Sequence, residues 1–244
     1  LATNQFVEFL GKGGFGVVYK VWSLSKSCYE AMKILEVRSG PSSEALAAFK
    51  HEIQRMANVP GAHVAHVHHV GELPDKRPFF TMEFLNGGRL DHYCARRRAS
   101  IDDRIHMMAG VCDGVHHLHE LNLVHCDLKP RNILIAENAG TAVAKVVDFG
   151  LARHMQGGSS PKRTAGGTLQ YMSPEQLEAR SGDPERSWDV YSLGVTLYEL
   201  LVGECPIDPS FEAAEALEFE KAARLRDRIK QLKELPEMSQ SRHR

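Results

Sequence analysis

The run HCDLKPRN at 125–132 puts a carboxylate, an ammonium and a carboxamide within reach of one another: Asp127, Lys129 and Asn132. Asp148, opening the triplet DFG, adds a second carboxylate. Asn132 and Asp148 are hard oxygen donors. Mg2+ takes a small number of such ligands and completes its shell with water and phosphate oxygens. Upstream, GKGGFGVV at 11–18 offers glycines that let backbone amides approach a phosphate closely. Strand-type residues flank these glycines on both sides. They therefore read as a hairpin, not as the strand-to-helix turn of dinucleotide-binding folds. Ala31-Met32-Lys33 ends a further strand-type run. The ammonium of Lys33 needs a carboxylate partner, and Glu52 is the candidate. It borders the apolar stripe of Phe49, Ile53 and Met56, which places it at the edge of a helix facing a sheet.

The surrounding pattern supplies elements to hold these residues. Residues 6–35 read as three strands, and 64–72 and 78–85 as two more. Residues 42–58 read as a helix capped by Ser42 or Ser43. Asn86-Gly87-Gly88 breaks the pattern and reads as a hinge. From Leu90 the chain turns helical. Ile105, Met108, Val111, Val115, Leu118 and Leu121 form one face over 101–121. Short strands at 133–135 and 145–149 flank the chemistry. Residues 153–168 read as a loop, 188–202 as a buried helix, and 210–235 as a strongly charged helical segment.

Bulk composition narrows the classes. The chain has 244 residues, enough for one larger domain or two small lobes. It is 43% hydrophobic and 25% charged, ordinary for a soluble globular protein. A net charge of −1 gives no global field for nucleic acid or anionic lipid. The five cysteines include no C-x-x-C pair, which argues against a zinc site or disulfide framework and fits a reducing cytosol. No apolar run approaches a membrane span and no signal peptide is visible.

Taken in order, these motifs resemble those of the eukaryotic-like protein kinases. The resemblance implies an α+β, two-lobed kinase fold: a small β-rich lobe with one helix over 1–85, and a larger helical lobe over 86–207. It implies ATP and Mg2+ as cofactors, with Asn132 and Asp148 as metal ligands. Asp127 would accept the proton of a substrate hydroxyl. Lys129 would stabilise the transferring phosphoryl group, and Lys33 with Glu52 would position phosphates. The glycine loop would comprise Leu10, Gly11, Lys12, Gly13, Gly14, Phe15 and Gly16. Val18, Ala31, Leu85, Leu134 and Val147 match positions that sandwich adenine, and Met82 the position guarding the back of that pocket. The backbone from Glu83 to Leu85 matches the hinge that hydrogen-bonds the base. Lys129, with Thr168 in GTLQYMSPE, resembles the serine/threonine subgroup, so the substrate would be a protein serine or threonine. Asp189 resembles the buried aspartate that anchors the catalytic loop.

Three departures stand out. Cys126 occupies the position where most relatives carry the arginine that receives an activation-loop phosphate, so phosphorylation at Thr164, Ser159 or Ser160 is expected to have a weakened ordering effect. The large lobe is expected to stop after its central helix, which would leave Glu175 without the arginine that normally pairs with it. Residues 208–244 are instead expected to form an amphipathic helix resembling the UVR motif, a protein–protein contact element of bacterial proteins. Leu217, Ala222, Leu225, Ile229 and Leu232 make its apolar stripe. A mixed-sign helix of this kind does not suit DNA. His63, His66, His68 and His69 lack carboxylate or cysteine companions in sequence and read as surface residues. The whole suggests a cytoplasmic, bacterial serine/threonine kinase. The alternative is a nucleotide-binding pseudokinase-like scaffold, or an adaptor working through the UVR-like helix.

Overall fold

A computed structural model describes residues 4–13, 16–35, 53, 61–138, 140–148, 169–178 and 184–207. The first half is a five-stranded antiparallel sheet in the order β1-β2-β3-β5-β4. Its strands are β1 (Asn4–Gly13), β2 (Gly16–Ser23), β3 (Cys28–Leu35), β4 (Val67–Glu72) and β5 (Pro78–Glu83). Alternation of β-branched and aromatic residues with polar ones fixes the register. Trp22 faces Tyr29 across β2 and β3, with ring centroids 4.9 Å apart. Of the segment expected as a helix over 42–58, Ile53 alone falls within the described residues. It is helical and fully buried.

The second half begins with β6 (Gly88–Arg89), which joins β7 (Ile133–Asn138) and β8 (Thr141–Val146) in a small sheet. Among the described residues four helices accompany it: α1 (Leu90–Arg97), α2 (Ile101–Glu120), α3 (Pro174–Glu178) and α4 (Arg186–Val202). Short 3-10 turns occupy Pro130–Asn132 and Leu169–Tyr171. The start of α2 is set by a capping box. Ser100 Oγ accepts the amide of Asp103, and the Asp103 carboxylate accepts the amide of Ser100. Such a cap contributes about 1 kcal/mol. The stripe expected on α2 holds in its middle, where Met108, Val111, Val115 and Leu118 are buried. Its ends, Ile105 and Leu121, are exposed.

The expected hinge at 86–88 is tied down more firmly than its glycines suggest. Asn86 Nδ2 donates to the carbonyl of Glu137, and the Glu137 amide donates to Asn86 Oδ1. The strands expected at 133–135 and 145–149 pair with each other as β7 and β8. They run longer at the first strand and end at Val146, because Val147 and Asp148 turn out of the ladder into the site.

The histidines are not surface residues throughout, which corrects the expectation for two of them. His63 is half-buried, and its Nδ1 bonds the carbonyl of Ala144 at 2.9 Å. Its ring fills a notch on α2 that exists because residue 110 is glycine: a Cβ there would lie 2.3 Å from the ring. His68 Nδ1 bonds buried Glu30 at 2.7 Å. His63 and Ala65 also hydrogen-bond to Val146, forming an isolated parallel bridge at Val64, so the segment leading into β4 is seated on β8. One apolar cluster consequently runs through both halves, from Ala31 and Met82 to Val111, Leu118 and Leu200.

Candidate active site

Asp127, Lys129 and Asn132 lie on the loop between α2 and β7, and Pro130 opens the 3-10 turn that brings Asn132 back toward Asp127. Lys129 Nζ contacts both oxygens of Asp127, at 2.8 and 2.7 Å. Asn132 Nδ2 donates to the Asp127 carbonyl at 2.8 Å and to its Oδ2 at 3.1 Å. An ionised carboxylate offers about four lone-pair sites. These contacts use three, so Oδ1 keeps one for a proton-donating partner.

The loop hangs from α4. Asp189 is fully buried, and its carboxylate takes three donors: the amides of His125 and Cys126, at 2.8 and 2.9 Å, and His119 Nε2, at 2.8 Å. His125 Nδ1 accepts the Asp127 amide at 3.2 Å, which leaves Nε2 carrying the proton that bonds the Val147 carbonyl at 3.0 Å. One buried imidazole thus ties the strand leading into Asp148 to the backbone of Asp127. Cys126 and Asp148 both hold left-handed backbones, with φ of 63° and 62°. Such conformations in non-glycine residues cluster where the surroundings over-determine them.

Lys33 reaches in from β3, 4% exposed, and its Nζ lies 2.7 Å from Asp148 Oδ2. Asp148 Oδ1 is buried and has no hydrogen-bond partner among the described residues. A divalent cation would satisfy that oxygen. Asn132 commits its Nδ2 to Asp127, and among the described residues nothing bonds its Oδ1, which is left to ligate. The residues present therefore fit a Mg2+ site built on few protein oxygens.

Above this lies an apolar floor and roof. Ala31, Met82, Leu85 and Val147 are buried, with Val18 and Leu134 half-buried in the same cluster. Strand register sets Ala31 opposite Met82 and Val18 opposite Lys33. Glu83 is braced on two sides: Lys145 Nζ contacts both its oxygens, at 2.7 and 2.8 Å, and the amide of His66 donates to Oε1 at 2.8 Å. In the glycine hairpin, Gly11 pairs with Val18 and Gly13 with Gly16. Gly16 has φ of 150°, and a Cβ on it would lie 2.1 Å from the Ile34 carbonyl. Leu10 and Lys12 of that hairpin are exposed. Gly14, Phe15, Glu52 and Thr168, with Thr164, Ser159 and Ser160, lie outside the described residues.

After the site, Leu169–Tyr171 is fastened to α4. Tyr171 Oη donates to Glu199 Oε2 at 2.5 Å, and Ser192 Oγ donates to the Tyr171 carbonyl at 2.6 Å. Burial, reinforced by the Glu199 carboxylate, pushes the Tyr171 hydroxyl well above the usual phenol range. Glu175, on α3, is exposed. His119, His125, Lys145 and Gln176 were not singled out in the sequence. His125 opens the motif at 125–132; the others reveal themselves only through partners distant in the chain.

The protein kinase domain model matches residues 4–243. The chain belongs to the protein kinase family. The match runs on through 208–243. PknB, a serine/threonine-protein kinase of Mycolicibacterium smegmatis, is 34% identical over 211 residues, covering 82% of this chain and 32% of that protein. PrkC, a serine/threonine-protein kinase of Bacillus subtilis, is 30% identical over 220 residues, covering 89% and 33%. Serine/threonine-protein kinase dkf-2 of Caenorhabditis briggsae is 34% identical over 204 residues, covering 82% and 17%. The chain thus spans less than half the length of these curated relatives. The crystal structure of the PknI kinase domain of Mycobacterium tuberculosis superposes with a TM-score of 0.66 at 24% identity, over 86% of this chain and 78% of that one. The fold is the two-lobed kinase fold, with the five-stranded sheet as small lobe and the helices around α2 and α4 as large lobe.

Proposed function

We propose that this chain transfers the γ-phosphoryl group of ATP to a serine or threonine hydroxyl of a protein. The observation that carries the reading is the Asp127 carboxylate, held by Lys129 and Asn132 with one Oδ1 lone pair uncommitted. In this reading Oδ1 accepts the hydroxyl proton as the hydroxyl oxygen bonds to the γ-phosphorus. The bond from phosphorus to the β,γ-bridging oxygen breaks, and ADP leaves with the electron pair. Lys129, beside Asp127, offsets negative charge on the phosphoryl oxygens in flight. Lys33, buried at the back of the cleft, orients the remaining phosphates. Mg2+, held by Asn132 Oδ1 and Asp148, would neutralise phosphate charge. Val18, Ala31, Met82, Leu85, Leu134 and Val147 would enclose the adenine, and the backbone of residues 83–85, braced by Lys145, would present its polar groups to the base.

The kinase names of PknB and PrkC support the serine/threonine assignment, as does Lys129 near the catalytic aspartate. Among the described residues, no helix is long and apolar enough to cross a membrane. We assign 1–85 to the small lobe, 86–207 to the large lobe, and 208–244 to a segment that contacts a protein partner through its apolar stripe. A cytoplasmic setting suits the cysteine pattern. The test is phosphoamino-acid analysis after incubation with radiolabelled ATP and a protein acceptor. Label on serine or threonine that is lost in Asp127→Asn is the expected outcome. No label above the Asp127→Asn background would refute the reading.

A further inference from the structure

We propose that Gln176 is a positioning residue for this reaction, holding the peptide unit from which Asp127 projects; the role in catalysis rests on the function proposed above. Gln176 Nε2, on α3, donates to the Cys126 carbonyl at 2.8 Å. That carbonyl and the Asp127 amide are the two ends of one peptide plane. The amide end is bonded to His125 Nδ1. Gln176 and His125 thus grip the plane from opposite sides and fix the direction in which Asp127 leaves the backbone.

The grip falls where the backbone needs it. Cys126 is a non-glycine residue in the left-handed region, at φ of 63°. Its amide is held by Asp189 Oδ1 from α4 and its carbonyl by Gln176 from α3. A conformation of that kind relaxes when its restraints are removed. Cys126 also stands where the sequence resemblance expects an arginine that links the loop after DFG to the catalytic loop through a phosphate. Gln176 makes a link between the end of that segment and the same loop with no phosphate involved.

Gln176 is itself built in. It is 8% exposed, and its amide donates to the hydroxyl of buried Ser173. Its Oε1 is buried without a hydrogen-bond partner among the described residues. A residue serving only to fill this space would be apolar, because an unsatisfied buried oxygen is destabilising. Such a local violation is expected where function requires the other end of the side chain.

The experiment compares the full chain with Gln176→Met, which keeps length and loses the donor, and Gln176→Glu, which keeps shape and replaces the donor by an acceptor. Hydrogen exchange is read at the Asp127 amide, with the β7 and β8 amides as internal reference, alongside kcat and KM for ATP. Losing the bond should speed Asp127 exchange and lower kcat by about tenfold each in Gln176→Met, leaving KM for ATP and the reference amides unchanged. Gln176→Glu should lose at least as much. Wild-type exchange at Asp127 in Gln176→Met would make the residue a space-filler and overturn the proposal. So would a fall in kcat matched by a general loss of β7 and β8 protection. The exchange arm needs no catalysis: absence of phosphotransfer in the wild type strikes the kinase reading alone, while the exchange rates still decide the role of Gln176.

Discussion

Asp189→Asn removes one negative charge from the point where the loop carrying Asp127 hangs on α4, with almost no change of volume. Asp189 is fully buried and accepts three hydrogen bonds: Oδ2 from His119 and the His125 amide, Oδ1 from the Cys126 amide. An asparagine must turn its NH2 toward one side. Facing His119 and His125 it would forfeit two bonds, so it faces Cys126 and forfeits one. The loss is a bond to a charged acceptor, and a buried amide is left facing another donor, together about 3 kcal/mol. That is a large share of the roughly 5 to 15 kcal/mol that holds a domain folded. The left-handed Cys126 also loses the restraint on its amide, so phosphotransfer should fall by more than nucleotide binding. Urea unfolding of both proteins, followed by a transfer assay under conditions where each is folded, measures both effects. A destabilisation below about 1 kcal/mol with an unchanged transfer rate would refute the reasoning.

Mg-ATP should raise the melting temperature, because Lys33 meets Asp148 and Val147, next to Asp148, is hydrogen-bonded to Asn132. At about 100 times its Kd it adds about 2.7 kcal/mol, and an unmoved melting curve at millimolar nucleotide would contradict the binding site. Burial alone would push the Glu30 carboxyl up, but hydrogen bonds from Lys26 and His68 outweigh it and hold the group below its ordinary value of 4.5. A depressed carboxyl contributes stability that is complete above that value and is lost as the pH falls through the folded one. Glu30→Gln should therefore flatten the acid side of the stability profile below about pH 5; a curve parallel to wild type would contradict this. Changing Leu225 and Ile229 together to Asp should either lower stability or remove a partner from a pull-down. Wild-type behaviour in both assays would leave the segment 208–244 without the proposed role.

Much of the site was legible because its residues sit close together in the chain. Asp127, Lys129 and Asn132 lie on one loop, and their spacing and types alone specify a carboxylate flanked by a cation and an amide. The sheet was legible because aromatic and β-branched residues alternate through 6–35 and 78–85. What stayed hidden depends on pairs far apart. Nothing local to Gln176 says that it meets Cys126, nor does anything at Lys145 point to Glu83. His63 looked like a surface histidine because the notch it fills is made by an absent side chain, that of Gly110, on another element. The exposed ends of the α2 stripe failed for the converse reason: periodicity reports which face can be buried, and tertiary packing decides how much of it is. β6 was missed because two residues carry no period.

The central claim is that Asp127 acts in the chemical step and not in holding nucleotide. Nucleotide affinity by calorimetry and γ-phosphoryl transfer should be measured on the same preparations of wild type and Asp127→Ala. Transfer is predicted to fall by at least about a hundredfold, the lower range for loss of a positioned proton acceptor, with affinity nearly unchanged. Equal residual transfer in the two proteins would contradict the account.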